Sequence, residues 1–191
     1  MRLPYIPPNP QFQNAEDQAI VSRVKQRRGS GGLIELDRAL LHAPPVADGW
    51  NSFLASIRTR TTLSPSIRET AICRVAVLNK AWYEWTHHAP LLLSAPGITQ
   101  EHVDTVRNSP EHQIVGDVLD EKHGAVMAYT DAMTLSVTVD DETFARLKEY
   151  FTDKEVVEIT ATIAAYNCVS RFLVALDVGE MNGKEEPVPE A

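Results

Sequence analysis

A capping box at Thr152-Asp153-Lys154-Glu155 opens onto Val156, Val157, Ile159, Ile163, Ala164, Val169, Phe172 and Leu173, apolar residues that fall on nearly every side of a helix. A helix of this kind must be covered on several sides, by its own chain or by another copy. The chain has 191 residues, enough for one domain with a core and thin for two. The stretch 159–170, uncharged between Glu158 and Arg171, is too short and too rich in Thr and Asn to span a bilayer, so no membrane span is expected.

The rest of the pattern is helical too. Leu33, Leu36, Leu40 and Leu41 recur at helix spacing until Pro44-Pro45, and Val46, Trp50, Phe53 and Ile57 form a second stripe. Ser64-Pro65-Ser66-Ile67-Arg68-Glu69 is the clearest helix start, with Ser64 as cap and Pro65 at the tolerated first position. That helix runs to Asn79-Lys80, and another carries Trp82 through His88 towards Pro90, which should kink it if it lies inside. Thr99 caps a short helix. Val126, Tyr129 and Met133 form the buried stripe of a longer one, and Asp140 caps another with Phe144, Leu147 and Phe151 inward. The segment 134–139 alternates like a strand but has nothing to pair with, so it reads as a loop. The fold class is all-α: an antiparallel helical bundle spanning 33–178, preceded by an extended Pro-rich arm at 1–32 and followed by a mobile acidic tail at 179–191.

Charge narrows the partners. Eighteen Lys and Arg against 26 Asp and Glu give a net charge of −8, so no overall basic field draws phosphate backbones or anionic lipid. Neither nucleic acid nor membrane is expected as a partner. Met1-Arg2-Leu3-Pro4-Tyr5-Ile6-Pro7-Pro8 lacks the apolar run of a secretory signal, and the two cysteines, Cys73 and Cys168, lie far apart, which points to a reducing cytoplasm without a disulfide framework. No glycine-rich phosphate loop occurs.

Chemistry concentrates between Glu69 and His88. Glu84 precedes His88 by four residues, so the two share a helix face, and Glu69 sits near the start of the preceding helix. A carboxylate beside an imidazole runs proton transfer near neutral pH, and a second carboxylate pushes one acid towards its neutral, donating state. On a surface the same spacing adds only about 0.5 kcal/mol of helix support. The neighbouring Trp82, Tyr83 and Trp85 read as an aromatic pocket wall, with Tyr83 either a donor to an enolate or simply packed. His87 points about a hundred degrees from His88 and is expected at a subunit boundary. Glu69, Glu84, His87 and His88 include metal-ligand types, but the H-E-x-x-H order is missing and no metal is expected. His42, His102, His112 and His123 read as surface residues.

Glu69-Thr70-Ala71-Ile72-Cys73-Arg74-Val75-Ala76, followed by Ala81-Trp82-Tyr83-Glu84-Trp85-Thr86-His87-His88, resembles the carboxymuconolactone decarboxylase and alkylhydroperoxidase D-like superfamily. The resemblance runs over most of 40–179, including Leu40-Leu41-His42-Ala43-Pro44 and Tyr166-Asn167-Cys168-Val169-Ser170-Arg171-Phe172. The redox branch of that superfamily carries C-x-x-C before its histidine. Here those positions are Ala81 and Glu84, neither of which forms a thiolate, so the resemblance is to the decarboxylase branch.

The resemblance implies catalytic Glu69, Glu84 and His88 in one pocket between antiparallel helices, with His88 moving a proton, Glu84 holding its tautomer or serving as acid, and Glu69 tuning both. It also implies self-association as a trimer or larger. The substrate would be a small cyclic or unsaturated organic acid, such as a secondary-metabolite intermediate, that delocalises its own carbanion, so no cofactor is required. Two glutamates oppose a substrate carboxylate, and the candidate counter-cations are Arg74, otherwise a surface ion pair, and Arg171, otherwise paired with Glu69 or Asp177. Asn167 is a polar pocket group or a satisfied core amide. A lyase or isomerase is thus the first reading. A non-catalytic oligomeric or ligand-binding relative, or a peroxidase-type oxidoreductase, are the alternatives.

Overall fold

The computed structural model describes residues 1–111 and 118–184. Among these the chain forms nine α-helices and no strand: α1 (Ala15–Arg28), α2 (Glu35–Leu40), α3 (Pro44–Thr59), α4 (Pro65–Leu78), α5 (Trp82–Leu93), α6 (Gln100–Asn108), α7 (Glu121–Asp131), α8 (Asp141–Tyr150) and α9 (Asp153–Leu176). The expected all-α class holds.

Several helix starts are set by the side chains the sequence marks. Ser64 Oγ accepts from the Ile67 amide at 3.3 Å, with Pro65 as the first helical residue of α4. At α9, Thr152 Oγ1 accepts from Glu155 N and Glu155 Oε2 accepts from Thr152 N at 2.9 Å, closing the capping box. Pro44 and Pro45 start α3 rather than merely ending what precedes them.

α4 is the centre of the bundle, packing against α5, α7 and α9. Its residues Ile72, Val75 and Ala76 are fully buried, each larger side chain contributing about 1.5–3 kcal/mol by removal from water. Two apolar cores flank it. The larger gathers α1, α3, α7 and α9 around Ile72 and Ile163, and the smaller gathers Cys73, Trp85, Leu92, Val106 and Met127. α4 and α5 form a hairpin, turned through Asn79, Lys80 and Ala81, with Lys80 at φ 51°.

The N-terminal arm departs from expectation. Only residues 1–14 are extended; Ala15–Arg28 is a helix, capped by Asn14 Oδ1 on the Glu16 amide at 2.8 Å and ended by Gly29 at φ 65°. Ile20, Val21 and Val24 anchor it in the core against α3. The extended part lies on its own chain: Arg2 N donates to Leu176 O at 2.8 Å and Ile6 N to Arg38 O at 3.3 Å. Tyr5 Oη accepts from Gly179 N at 2.8 Å. Gly179 itself has φ 78° and lies so close on the Tyr83 ring that a Cβ there would sit 2.2 Å from Tyr83 Cδ2.

Some apolar residues assigned inward face out. Val46 and Phe53 are half exposed, and α3 buries Ala47, Leu54 and Ile57 instead; Phe144 is likewise exposed while Leu147 and Phe151 are buried. The 134–139 segment begins as a π-helical turn, Ala132–Ser136, continuing α7. α9 is long and apolar enough to cross a membrane by length and composition, yet it is a core helix whose inner side, Ile159, Ile163, Tyr166, Val169 and Leu173, is buried. Its outer side carries Val157, Ala164, Cys168 and Arg171, all exposed. The tail from 185 onward, and His112, lie outside the described residues.

Candidate functional site

The α4–α5 hairpin brings Glu69, Glu84 and His88 together as buried polar residues, with exposures of 3%, 2% and 6%. His88 Nδ1 donates to Glu69 Oε2 at 2.6 Å, which fixes the ring and leaves Nε2 as the free nitrogen. Arg68 Nε donates to the other Glu69 oxygen at 3.3 Å. The His88 ring meets Tyr166 edge-on at 5.0 Å. It is therefore Glu69, across the hairpin, that holds the tautomer, and not Glu84 on the same helix.

Among the described residues Glu84 has no partner: both of its carboxyl oxygens are buried and neither makes a hydrogen bond. Burial pushes its pKa well above the ordinary carboxylate value, which favours the protonated form. Burial also lowers the His88 pKa, against the opposing pull of Glu69, and keeps the imidazole neutral and basic. Glu69 resists its own burial through the His88 hydrogen bond and the nearby Arg68 and Arg58 charges, and stays a carboxylate. One acid, one base and one orienting anion thus lie together in one buried cluster, their states separated by environment.

A cavity of about 230 Å³ opens on this constellation, at the small end of ligand sites and suited to a compact molecule. Glu84, His88, Tyr83 and Tyr166 line it with the apolar Trp50, Leu54, Val169 and Leu173. Its cations come from elsewhere: Arg27 and Arg28 of α1 and Arg58 of α3. Arg28 is committed to Asp37, donating from Nε and Nη2 at 2.7 and 2.8 Å. Arg58 is half-buried, and among the described residues no hydrogen bond or ion pair holds it. His87 also lines the cavity, its ring 4.3 Å from that of Tyr83 and its Nδ1 bonded to Tyr83 O, so it shares the site of His88 instead of facing away from it.

The remaining assigned binding residues are elsewhere. Trp85 is buried in the smaller core beside Cys73 and Trp82 packs against that core, because α5 turns them away from the Glu84 face. Arg74 is not on the surface: it is 1% exposed and locked onto Asp131 at 2.6 and 2.8 Å. Arg171 is exposed rather than buried and donates to Asn167, not to Glu69 or Asp177. Asn167 accepts from Asn79 Nδ2 at 3.1 Å and donates to Thr134 Oγ1 at 3.0 Å, a satisfied amide away from the cavity. Of the histidines read as surface residues, His42 is exposed, while His102 and His123 are partly buried at helix starts, bonded to Thr99 N and Asp120 respectively. Among the described residues no three of His, Cys, Asp and Glu converge as metal ligands.

Arg27, Arg28, Arg58, Trp50 and Tyr166 are the cavity residues that spacing around Glu84 does not reveal. A signal for the first two exists: Asn14, acidic Glu16 and Asp17, basic Lys25, Arg27 and Arg28, then Gly29, is the charge order of a capped helix.

No known family model matches the chain, and no curated protein matches its sequence. Solved structures do match its fold. An uncharacterized peroxidase-related protein from Silicibacter sp. TM1040 superposes with TM-score 0.71 at 16% identity, covering 94% of this chain and 93% of that one. An alkylhydroperoxidase AhpD core, a peroxidase-related protein from Ralstonia eutropha JMP134, gives 0.69 at 18% identity over 99% and 97%. The debrominase Bmp8, in a Cys-to-Ala form complexed with 2,3,4-tribromopyrrole, gives 0.67 at 19% identity over 91% and 89%. The fold of this chain is that of the alkylhydroperoxidase D-like proteins.

Proposed function

We propose that the protein is a cofactor-independent lyase or isomerase acting on a small cyclic or unsaturated organic acid, with decarboxylation as its favoured reaction. One observation carries the reading: a buried carboxyl with no hydrogen-bond partner among the described residues, Glu84, lines the same cavity as an imidazole oriented by a carboxylate. A lone buried carboxyl costs stability unless a ligand completes its hydrogen bonds.

In the isomerisation, His88 Nε2 takes a proton from the carbon next to a carbonyl, and Glu84 delivers one to the far end of the conjugated system. In the decarboxylation, the bond to the carboxylate carbon breaks, CO2 leaves, and the electron pair moves into the substrate's own carbonyl. Glu84 then protonates the resulting carbanion and regains its proton from solvent. Glu69 stabilises the imidazolium wherever His88 accepts a proton. Arg58 supplies the counter-charge that two glutamates would otherwise deny an anionic substrate.

A thiol peroxidase reading is opposed by the sulfur positions. Cys73 is fully buried with its pKa pushed up by burial, Cys168 is exposed, and both are free. Self-association covers the outward stripe of α9, Val157, Ala164 and Cys168; light scattering then gives a mass above 21.2 kDa, and a particle of that mass refutes it.

The test is turnover of a panel of unsaturated and lactone acids, followed by CO2 release and by deuterium uptake from solvent. Glu84→Gln is expected to reduce either reaction, and His88→Ala the isomerisation, by about 10²–10⁴-fold. Unchanged rates in both would falsify the proposal.

A further inference from the structure

Beside the main cavity lies a second, wider cleft of about 630 Å³, which shares Arg27, Arg28 and Arg58 with it and adds Arg68 and the Glu69 carboxylate. Four guanidiniums therefore face one recess on a chain whose net charge is −8. The carboxylates in contact with them are two: Asp37, which binds Arg28, and Glu69, which accepts from Arg68 at 3.3 Å. Arg27 donates to the uncharged Asn51 and reaches Asp37 only at 4.0 Å. Two positive charges are left uncompensated, and Arg58 makes no hydrogen bond or ion pair among the described residues. The cleft also borders Pro65, the first residue of the fourteen-residue α4, whose positive dipole end adds to the same field.

We propose that this cleft is a phosphate-binding site: it holds the phosphate group of a substrate whose reacting acid lies in the small cavity beside Glu84 and His88. This rests on the proposed function for its second half only. Shape and charge select the chemistry. The small cavity fits a compact acyl portion, whereas the cleft is nearly three times larger and presents planar donor forks suited to phosphoryl oxygens. A surplus of two charges, one of them on the Arg58 that the small cavity shares, favours a phosphate group over a single carboxylate. Arg58, lining both recesses, is the joint between them. The acidic net charge does not oppose this, because screening confines the relevant field to about 8–10 Å.

The experiment is calorimetric titration of the full chain, at pH 7.5 and low ionic strength, with inorganic phosphate, pyrophosphate, succinate and acetate. Phosphate and pyrophosphate are expected to bind at least tenfold more tightly than either carboxylic acid. Arg58→Gln and Arg68→Gln should each weaken that binding tenfold or more, while Lys122→Gln, on exposed α7 surface and lining neither recess, leaves it unchanged. Glu84→Gln should also leave it unchanged, so the chemistry and the cleft fail separately. Equal affinity for succinate and phosphate, or phosphate affinity indifferent to both arginine substitutions, overturns the proposal.

Discussion

α4 carries two buried ionic clusters five residues apart, and they are completed to different degrees. At Arg74 every guanidinium donor is used: two bonds to Asp131 at 2.6 and 2.8 Å, and three to the carbonyls of Val106, Ser109 and Pro110 at 2.9–3.3 Å. At Glu69 the set stops short. His88 and Arg68 bind Glu69, but Glu84 beside them has both oxygens orphaned and Arg58 is unpaired among the described residues. Desolvation is costly in both places. Where the protein supplies every partner the cluster is structural; where the partners are missing, the proposed ligand would supply them.

Removing one side of the completed cluster gives the largest expected effect. Arg74→Met removes the guanidinium shared by the buried Asp131 carboxylate and the Val106, Ser109 and Pro110 carbonyls, and should cost about 3–5 kcal/mol in urea unfolding at pH 7. A loss under 1 kcal/mol would mean the cluster is not as closed as its geometry.

The incomplete cluster should respond in rate. In Glu69→Gln the amide oxygen still accepts from His88 Nδ1, so the ring keeps its place while the imidazolium loses its counter-charge. Turnover is expected to fall about 10²-fold. The pH profile has a definite sign. Glu69 raises the His88 pKa against burial; without it burial and the Arg58 and His87 charges act unopposed, and the acid limb of kcat/KM, where the base is lost to protonation, moves to lower pH. A limb that moves up, or stays, would assign the base elsewhere.

This difference between the clusters was half visible in the residue string. Ser64-Pro65 and Thr152 to Glu155 announce helices because capping is local, and Glu84 to His88 announces a shared face because helical spacing is local as well. The cations are not local. Arg58 reaches the site from α3, and Arg27 and Arg28 from α1, whose three buried residues, Ile20, Val21 and Val24, are too few among charged neighbours to print an apolar stripe. Proximity in sequence misled in the opposite direction at Trp85, one residue and therefore about 100° from Glu84, which the helix turns into the other core. Arg74 shows the same limit: an arginine among apolar residues declares that it needs a partner but not that Asp131, 57 positions away, provides it.

Replacing the orphan acid with an apolar group should sharpen the contrast by stabilising the fold. Glu84→Met removes two unsatisfied buried oxygens and is expected to add about 1–3 kcal/mol at pH 7. The wild-type pH dependence follows from the direction of the shift. Glu84 holds its proton in the folded state above the 4.5 at which it would release it unfolded, so the native state binds more protons there. Stability present below pH 4.5 is then lost as pH rises towards the raised value, with a slope of up to about 1.4 kcal/mol per pH unit for one proton. Denaturant midpoints across pH 4–8 should show this decline in the wild type and lack it in Glu84→Met.

The smallest effect is expected at Arg171, and it tests the rule from its other end. Arg171 lies on the same helix as Tyr166, five residues on, yet it is exposed and its donors rest on Asn167, whose own amide is already tied to Asn79 and Thr134. Water takes up whatever Arg171 releases, so Arg171→Gln should change stability by less than about 0.5 kcal/mol and leave turnover of the panel acids as it is. A cation on that face that proved necessary for turnover would place the substrate's counter-charge on the outer side of α9, and Arg58 would lose its role as the charge that the site leaves open.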